Sequence, residues 1–306
     1  MELANLSKKI KRSIFDFLMR SLRKSASLKI KTALLTIGKI SYLDNINYIE
    51  KEKDTLVLIH GLGADKDTWL KFAKYLTKSY RIIALDLPCH GLSTQDFSIN
   101  YSVEVQAQCI NELLRNLKIQ HVHVIGSSMG GAIATKLAYM HPEIVSSLIL
   151  IDSCGVFKTP SYAYKLADEL GYNPMLEINT KDDYKKMMSL AMSKPPFIPG
   201  FMLDVLTEDM KERVELNSKI FRDADADGDQ MAILSKIKKP SLVVWGAQDK
   251  ILHVDNAEVF NNELQNCSKV IIEETGHVPI VEKPKVAAKY ITNFIHEIAW
   301  PDKKLI

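Results

Sequence analysis

Cysteine is scarce in this chain: only four occur among 306 residues, and they are far apart in the sequence. Disulfide frameworks and zinc sites usually show closely spaced cysteines, so neither is expected here. Isolated thiols of this kind are typical of proteins in a reducing compartment, and the pattern favours a cytoplasmic location. The four are Cys89, Cys109, Cys154 and Cys267.

The sequence also lacks a glycine-rich phosphate loop and a cluster of metal-ligand residues, so no cofactor and no metal ion are expected. One stretch, Asp223-Ala-Asp225-Ala-Asp227-Gly228, resembles the start of a calcium-binding loop. The twelfth position of such a loop requires a bidentate glutamate, and Leu234 occupies it. We therefore interpret the stretch as an acidic surface turn.

No apolar run near the amino terminus is long enough to span a membrane, because charged residues interrupt it repeatedly. Asp16 and Arg20 also argue against a secretory signal peptide. The formal net charge of +3 is unevenly distributed, since residues 1–31 contain nine basic and two acidic side chains. The remainder is mildly acidic, and no nucleic-acid partner is expected.

Residues 3–24 are predicted to form a basic amphipathic helix, within an amino-terminal segment that spans residues 1–28. Such a helix can lie in the surface of an anionic membrane, which would make the protein peripheral to that membrane. The alternative is a helix that packs on its own domain or on a partner subunit, and the oligomeric state stays open. The apolar residues at helical spacing are Leu3, Leu6, Ile10, Ile14, Phe17 and Leu18.

Beyond residue 28, short apolar strands alternate with helical patterns, which predicts a parallel sheet with helices on both faces. This alternation of strands and helices is interrupted over residues 156–229, where no buried strand is evident. We interpret these residues as an inserted helical cap between two parts of a core, residues 29–155 and 230–300. The cap is rich in Met, Pro and Phe, and we expect Phe197 and Met202 to contact an apolar substrate.

The clearest chemical signal is Gly126-x-Ser128-x-Gly130, between the predicted strand at residues 121–125 and a helix that begins near Met129. Small residues on both sides of a serine allow the sharp strand-to-helix turn of a nucleophile elbow, which raises the hydroxyl above the sheet. A plain turn between strand and helix would be the simpler interpretation, but the flanking elements favour a nucleophile.

A serine nucleophile needs a base, and the base needs a carboxylate that holds its tautomer. Asp249 and His277 each follow a predicted strand, so both are expected at the same sheet edge as Ser128. We predict these three as catalytic residues. Asp152, which also follows a strand, is the alternative acid. The oxyanion is expected to bind the backbone N–H groups of Met129 and Leu62.

Several motifs of this chain resemble those of the α/β-hydrolase family, and in particular of monoacylglycerol lipases and related bacterial lipases and esterases. The resemblance implies a mostly parallel eight-stranded sheet with an inserted helical cap. It also implies Ser128 as nucleophile, Asp249 as acid and His277 as base. The matching motifs are His60-Gly-Leu-Gly63, Asp86-Leu-Pro-Cys-His-Gly91, Gly126-Ser-Ser-Met-Gly-Gly131, Trp245-Gly-Ala-Gln-Asp249 and Gly276-His277.

These features predict a serine hydrolase that cleaves carboxylic esters with medium or long acyl chains, through an acyl-enzyme on Ser128. One alternative is a carbon–carbon bond hydrolase of the meta-cleavage-product type, whose substrate carboxylate would call for a cation in the cap. A haloalkane dehalogenase is disfavoured because its nucleophile is an aspartate. The non-enzyme alternative is a ligand receptor on the same fold, which would not need all three catalytic groups.

Overall fold

The described part of the computed structural model comprises residues 2–48, 53–225 and 228–299, with side chains from residue 6 onwards. The predicted segments include some residues outside these ranges: Met1, residues 49–52, residues 226–227 of the acidic turn, and Trp300. The side chain of Leu3 also lies outside the described part.

Eight strands of the described chain form one sheet, in the order β1-β2-β4-β3-β5-β6-β7-β8. β1 pairs antiparallel with β2, and β2 pairs antiparallel with β4, whereas all other neighbours are parallel. The mostly parallel eight-stranded sheet is therefore confirmed. The strands are β1 (Lys29–Leu35), β2 (Gly38–Asp44), β3 (Thr55–Ile59), β4 (Arg81–Leu85), β5 (Val122–Ser127), β6 (Val145–Ile151), β7 (Ser241–Gly246) and β8 (Cys267–Ile272).

The central strands are buried on both faces, as the continuous apolar run of β3 predicts. One apolar layer includes Ile110, Ile133 and Phe260, and the layer on the opposite face includes Phe72 and Ile291. The helices that supply these layers alternate with the strands. They are α2 (Leu70–Ala73), α3 (Val103–Asn116), α4 (Met129–Met140), α9 (Met231–Leu234), α10 (Asp255–Glu263), α11 (Pro279–Glu282) and α12 (Pro284–Ala299).

Four further helices occupy the connection between β6 and β7, where the sequence pattern of strands is interrupted. This segment has a separate small apolar cluster, which consists of Ile178, Tyr184 and Leu203. The segment between β6 and β7 is thus helical and partly self-packed. Its helices are α5 (Tyr162–Leu170), α6 (Lys181–Ala191), α7 (Gly200–Glu212) and α8 (Val214–Asp225).

The amino-terminal helix α1 (Glu2–Ser25) packs along α7. Its basic side chains pair with acids of α7: Lys11 lies 2.7 Å from Asp204, and Arg12 binds Asp209. Part of the basic face of α1 therefore contacts the rest of the protein. This agrees with the alternative prediction, in which the helix packs on its own domain. A stripe of apolar side chains at helical spacing is exposed on α1 and consists of Leu6, Ile10, Ile14 and Phe17.

Candidate active site

Ser128 is the residue between β5 and α4, and its backbone has a positive φ of 56° with ψ at −123°. A positive φ is costly for a residue other than glycine and persists only where the surroundings impose it. Here the Ser128 N–H donates to the Ile151 carbonyl at 3.0 Å, and the Ser128 carbonyl accepts from Cys154 N at the same distance. The strained turn predicted for a nucleophile elbow is therefore present.

The glycines around Ser128 allow β5, α4 and β3 to approach each other closely. A Cβ on Gly126 would collide with the carbonyl of Gly130, and a Cβ on Gly130 would collide with the carbonyl of Ile59. A Cβ on Gly61 would lie 2.9 Å from the Cβ of Ser128. The loop after β3 consequently runs directly beside the serine, where an oxyanion donor is needed.

His277 and Asp249 meet in a buried hydrogen bond, with 2.8 Å between Nδ1 and Oδ2. The other oxygen of Asp249 accepts the backbone N–H groups of Ile251 at 2.8 Å and Leu252 at 3.0 Å. These bonds fix the carboxylate, which in turn orients the imidazole and can stabilise its protonated form. The loops after β7 and β8 thus bring together the predicted acid and base.

The Ser128 hydroxyl contacts the thiol of Cys154, with 3.9 Å between Oγ and Sγ. Burial raises the pKa of the Cys154 thiol to about 12, so it is neutral near pH 7. Serine hydroxyls often align with their base only when substrate is bound, so this contact is compatible with the role predicted for Ser128. Cys154 was not predicted as a neighbour of Ser128, although its position just after β6 places it at the same sheet edge.

His60 holds the loop that carries Leu62. Its Nδ1 lies 2.8 Å from the Gly61 carbonyl, and its Nε2 accepts the Leu87 N–H at 3.1 Å. Complete burial lowers the pKa of His60 to about 4, and the ring is therefore neutral at physiological pH. Next to this ring, Asp86 forms a buried ion pair with Lys66 at 2.6 Å, which also fixes the loop.

Glu282 connects the histidine loop to the segment that follows α6. One carboxylate oxygen accepts the Gly276 N–H at 2.7 Å, and the other accepts the Ser193 N–H at 2.8 Å. The backbone N–H of His277 donates to the Ala191 carbonyl at 2.8 Å. The position of the base thus depends on contacts with the helical segment between β6 and β7.

Asp152 is buried at the end of β6, and its carboxyl group lies near both Asp249 and His277. Atoms of these three side chains lie within 4.8 Å of one another, and no other group of side chains in the described ranges could hold a metal ion in this way. The hydrogen bonds already described give Asp249 and His277 a role that does not require an ion.

The two residues predicted to contact substrate lie on the segment between β6 and β7. Phe197 is 90% exposed, and Met202, in the first turn of α7, is half-buried. Phe197 therefore contacts little of the protein, and its role in substrate binding stays a prediction.

Comparisons with known proteins agree with this geometry. A family model described as alpha/beta hydrolase fold matches residues 54–176. The chain is 33% identical to "Lipase 1" of Psychrobacter immobilis, over 85% of this chain and 82% of the relative. It is 27% identical to the "Monoacylglycerol lipase ABHD6" of Homo sapiens, over 80% and 76% of the two chains.

Among solved structures, one described as a membrane phospholipase A and bacterial virulence factor superposes with a TM-score of 0.90. It is 32% identical in sequence, and the alignment covers 95% of this chain and 93% of that one. Sheet order, elbow and sequence similarity agree, and the chain belongs to the α/β-hydrolase family.

Proposed function

We propose that this protein is a serine hydrolase that cleaves carboxylic esters with medium or long acyl chains. The observation that carries the proposal is the buried 2.8 Å bond between His277 and Asp249, at the sheet edge that also holds the strained Ser128. A receptor on this fold would have no need of a base oriented by a carboxylate next to a serine on an elbow.

In the proposed reaction, His277 removes the proton of Ser128 as the hydroxyl attacks the ester carbonyl. Asp249 holds the imidazole in the correct tautomer and stabilises its positive charge. The backbone N–H groups of Met129 and Leu62 bind the negative oxygen of the tetrahedral intermediate. His277 then protonates the leaving alcohol and activates the water that releases the acid.

The names of the relatives support an ester substrate with an acyl chain, because two are called lipases and a third is called a phospholipase. Half-buried methionines between β6 and β7, including Met187 and Met188, surround the small apolar cluster of that segment. We infer that residues 156–229 act as a cap and supply the apolar surface for the acyl chain, with Met202 and Phe197 as candidate contacts.

A fluorophosphonate probe and a panel of p-nitrophenyl esters and monoacylglycerols of graded chain length test the proposal. We expect stoichiometric labelling at Ser128 and turnover that favours medium or long acyl chains. Absence of both labelling and turnover would favour the receptor alternative. Cleavage of a vinylogous keto-acid without ester turnover would instead favour the carbon–carbon bond hydrolase.

We further infer that α1 rests on a membrane surface, as a peripheral attachment on the cytoplasmic side. No helix in the described residues combines the length and apolar character that crossing a membrane requires. The exposed stripe of Leu6, Ile10, Ile14 and Phe17 supports an interfacial location instead. Because several basic residues of α1 pair with acids of the protein, apolar contact should contribute more to binding than charge does.

Vesicle flotation tests this attachment with the variant Ile10→Ser/Phe17→Ser, which removes two exposed apolar groups. We expect this variant to lose at least tenfold in vesicle affinity, because each buried side chain contributes about 1.5–3 kcal/mol. The matched control, Ser13→Ala, changes another exposed residue of the same helix and should bind as the wild type does. Unchanged binding of the double variant would contradict the proposed attachment.

A further inference from the structure

We propose that Asp152 is a positioning residue, a carboxylic acid that keeps its proton and donates it in a hydrogen bond to Asp249. This inference rests on the proposed function, which assigns Asp249 and His277 their roles. It gives a role to a buried acid that the proposed reaction leaves unused.

Asp152 is held rigidly at the end of β6. Its backbone has a φ of +42°, and its N–H donates to the Val244 carbonyl at 3.0 Å. One side-chain oxygen, Oδ1, accepts the Gly246 N–H at 2.8 Å. The other, Oδ2, is fully buried and has no hydrogen-bond donor among the described residues. A carboxylate oxygen in that situation is costly to bury unless it carries a proton.

A side-chain oxygen of Asp152 lies within 4.8 Å of one of Asp249, and both groups are buried. An ionised carboxylate can accept hydrogen bonds but cannot donate one. A hydrogen bond between two carboxyl groups therefore requires a proton on one of them. The number of donors around each group decides which one is ionised. Asp249 accepts bonds from His277 and from two backbone N–H groups, whereas Asp152 accepts one backbone bond. The charge is therefore more stable on Asp249, and the proton resides on Asp152.

The surroundings of Asp152 favour the same assignment. Burial, followed by the negative charge of Asp249, raises the pKa of Asp152 well above its usual value. The titratable groups that face it are Asp249, His277 and the more distant Glu282, while the neutral thiol of Cys154 points toward Ser128. No positive charge other than a protonated His277 is among these neighbours.

A neutral Asp152 would serve the reaction in two ways. Its proton would hold Asp249 in the orientation that His277 requires. It would also limit the negative charge beside His277 to one carboxylate. A second ionised carboxylate within 4.8 Å would strengthen the electrostatic hold on the proton that the catalytic base must pass on to the leaving group.

Infrared difference spectra of the full chain and its D152N variant at pH 7 test the protonation state without any assay of activity. We expect the wild type to show the carbonyl stretch of a protonated carboxylic acid and the variant to lack it. Absence of this band from the wild type would overturn the proposal. This measurement is independent of the proposed function, whose own failure would appear as absent fluorophosphonate labelling.

Kinetics of two Asp152 variants test the positioning role. The amide of D152N can still donate to Asp249, so kcat should stay within about threefold and the acid limb of the kcat/KM profile should not move. D152A should lose about 10- to 100-fold in kcat with little change in KM, because a misplaced base is costly. A downward shift of the D152N acid limb by one pH unit would mean an ionised Asp152. If D152A fails to fold, the D152N profile and the infrared band decide.

Discussion

The hydroxyl of Ser128 is a weak nucleophile until a base removes its proton, and the base is effective only while its tautomer is held. In this protein the predicted base, His277, contacts the carboxylate of Asp249, which is itself fixed by two backbone N–H groups. In the proposed mechanism, catalysis therefore depends on a series of contacts that passes from the loop after β7 through Asp249 to His277. Substituting any one of these side chains should therefore have a large effect on ester turnover.

Ser128→Ala and His277→Ala should each lower ester turnover by about 10⁴-fold or more, and the double variant should be little worse, because the residues act as a unit. Steady-state assays at saturating ester measure the effect. Asp249→Asn should also be severely impaired, because an amide can stabilise the wrong tautomer of His277.

The matched comparison is the Asp152→Asn variant, in which the other candidate acid is changed. If Asp152→Asn were severely impaired while Asp249→Asn kept most of its activity, the acid would have to be reassigned to the end of β6. Circular dichroism and thermal unfolding of all variants would separate loss of chemistry from loss of structure.

At the scale of elements, the histidine loop and the segment after α6 behave as one unit because Glu282 accepts N–H groups from both. The close approach leaves no room for a side chain at Gly276, whose added Cβ would lie 2.7 Å from the Ala191 carbonyl. If residues 156–229 act as the proposed cap, their motion would be transmitted directly to His277, the predicted base.

Glu282→Gln should lower kcat by about tenfold or more, since an amide N–H₂ would face backbone N–H groups that now bond to a carboxylate. The cost in unfolding free energy should be about 1–3 kcal/mol, the range for removing a hydrogen-bond partner from buried donors. Urea unfolding and steady-state kinetics provide the two measurements.

Glu274→Gln is the control for this prediction, because Glu274 lies in the same loop but pairs with Lys194 in an exposed ion pair. It should change neither stability nor kcat measurably. Equal effects of the two substitutions would show that the loss of charge matters, and would count against a specific connection between cap and base.

At the scale of the whole molecule, His60 makes stability depend on pH. Burial lowers its pKa to about 4, while the unfolded chain titrates near 6.5. The unfolded state therefore binds more protons between these values, and stability falls as the pH decreases from about 6.5 to about 4. The maximal contribution is about 3 kcal/mol, obtained from the difference in pKa.

His60→Gln should remove this contribution while retaining an acceptor for the Leu87 N–H. Urea unfolding of both proteins between pH 7.5 and pH 4.5 should show a smaller loss of stability in the variant. Asp65 and Asp152, whose pKa values are raised by burial, act in the opposite direction but are present in both proteins. Parallel pH curves for wild type and variant would contradict a neutral, buried His60.

Much of this molecule follows from local patterns in the sequence. Strand and helix periods are local properties, so the alternation that predicts the parallel sheet is readable residue by residue. The elbow is also local, because Gly126 and Gly130 are needed wherever a strand turns sharply into a helix around Ser128. The proximity of Asp249 and His277 was predictable because each follows a strand at the same sheet edge.

Only the tertiary structure decided which partners the remaining residues have. Because Asp152 and Cys154 both follow β6, their sheet edge was predictable, but their individual partners, Asp249 and Ser128, depend on how separate loops pack. Basic side chains of α1 also form hydrogen bonds with acidic side chains of α7, nearly 200 residues away in the sequence, so the basic face is not wholly exposed to solvent. Periodicity determines which side of a helix is polar, but the neighbour of that side depends on how distant elements pack.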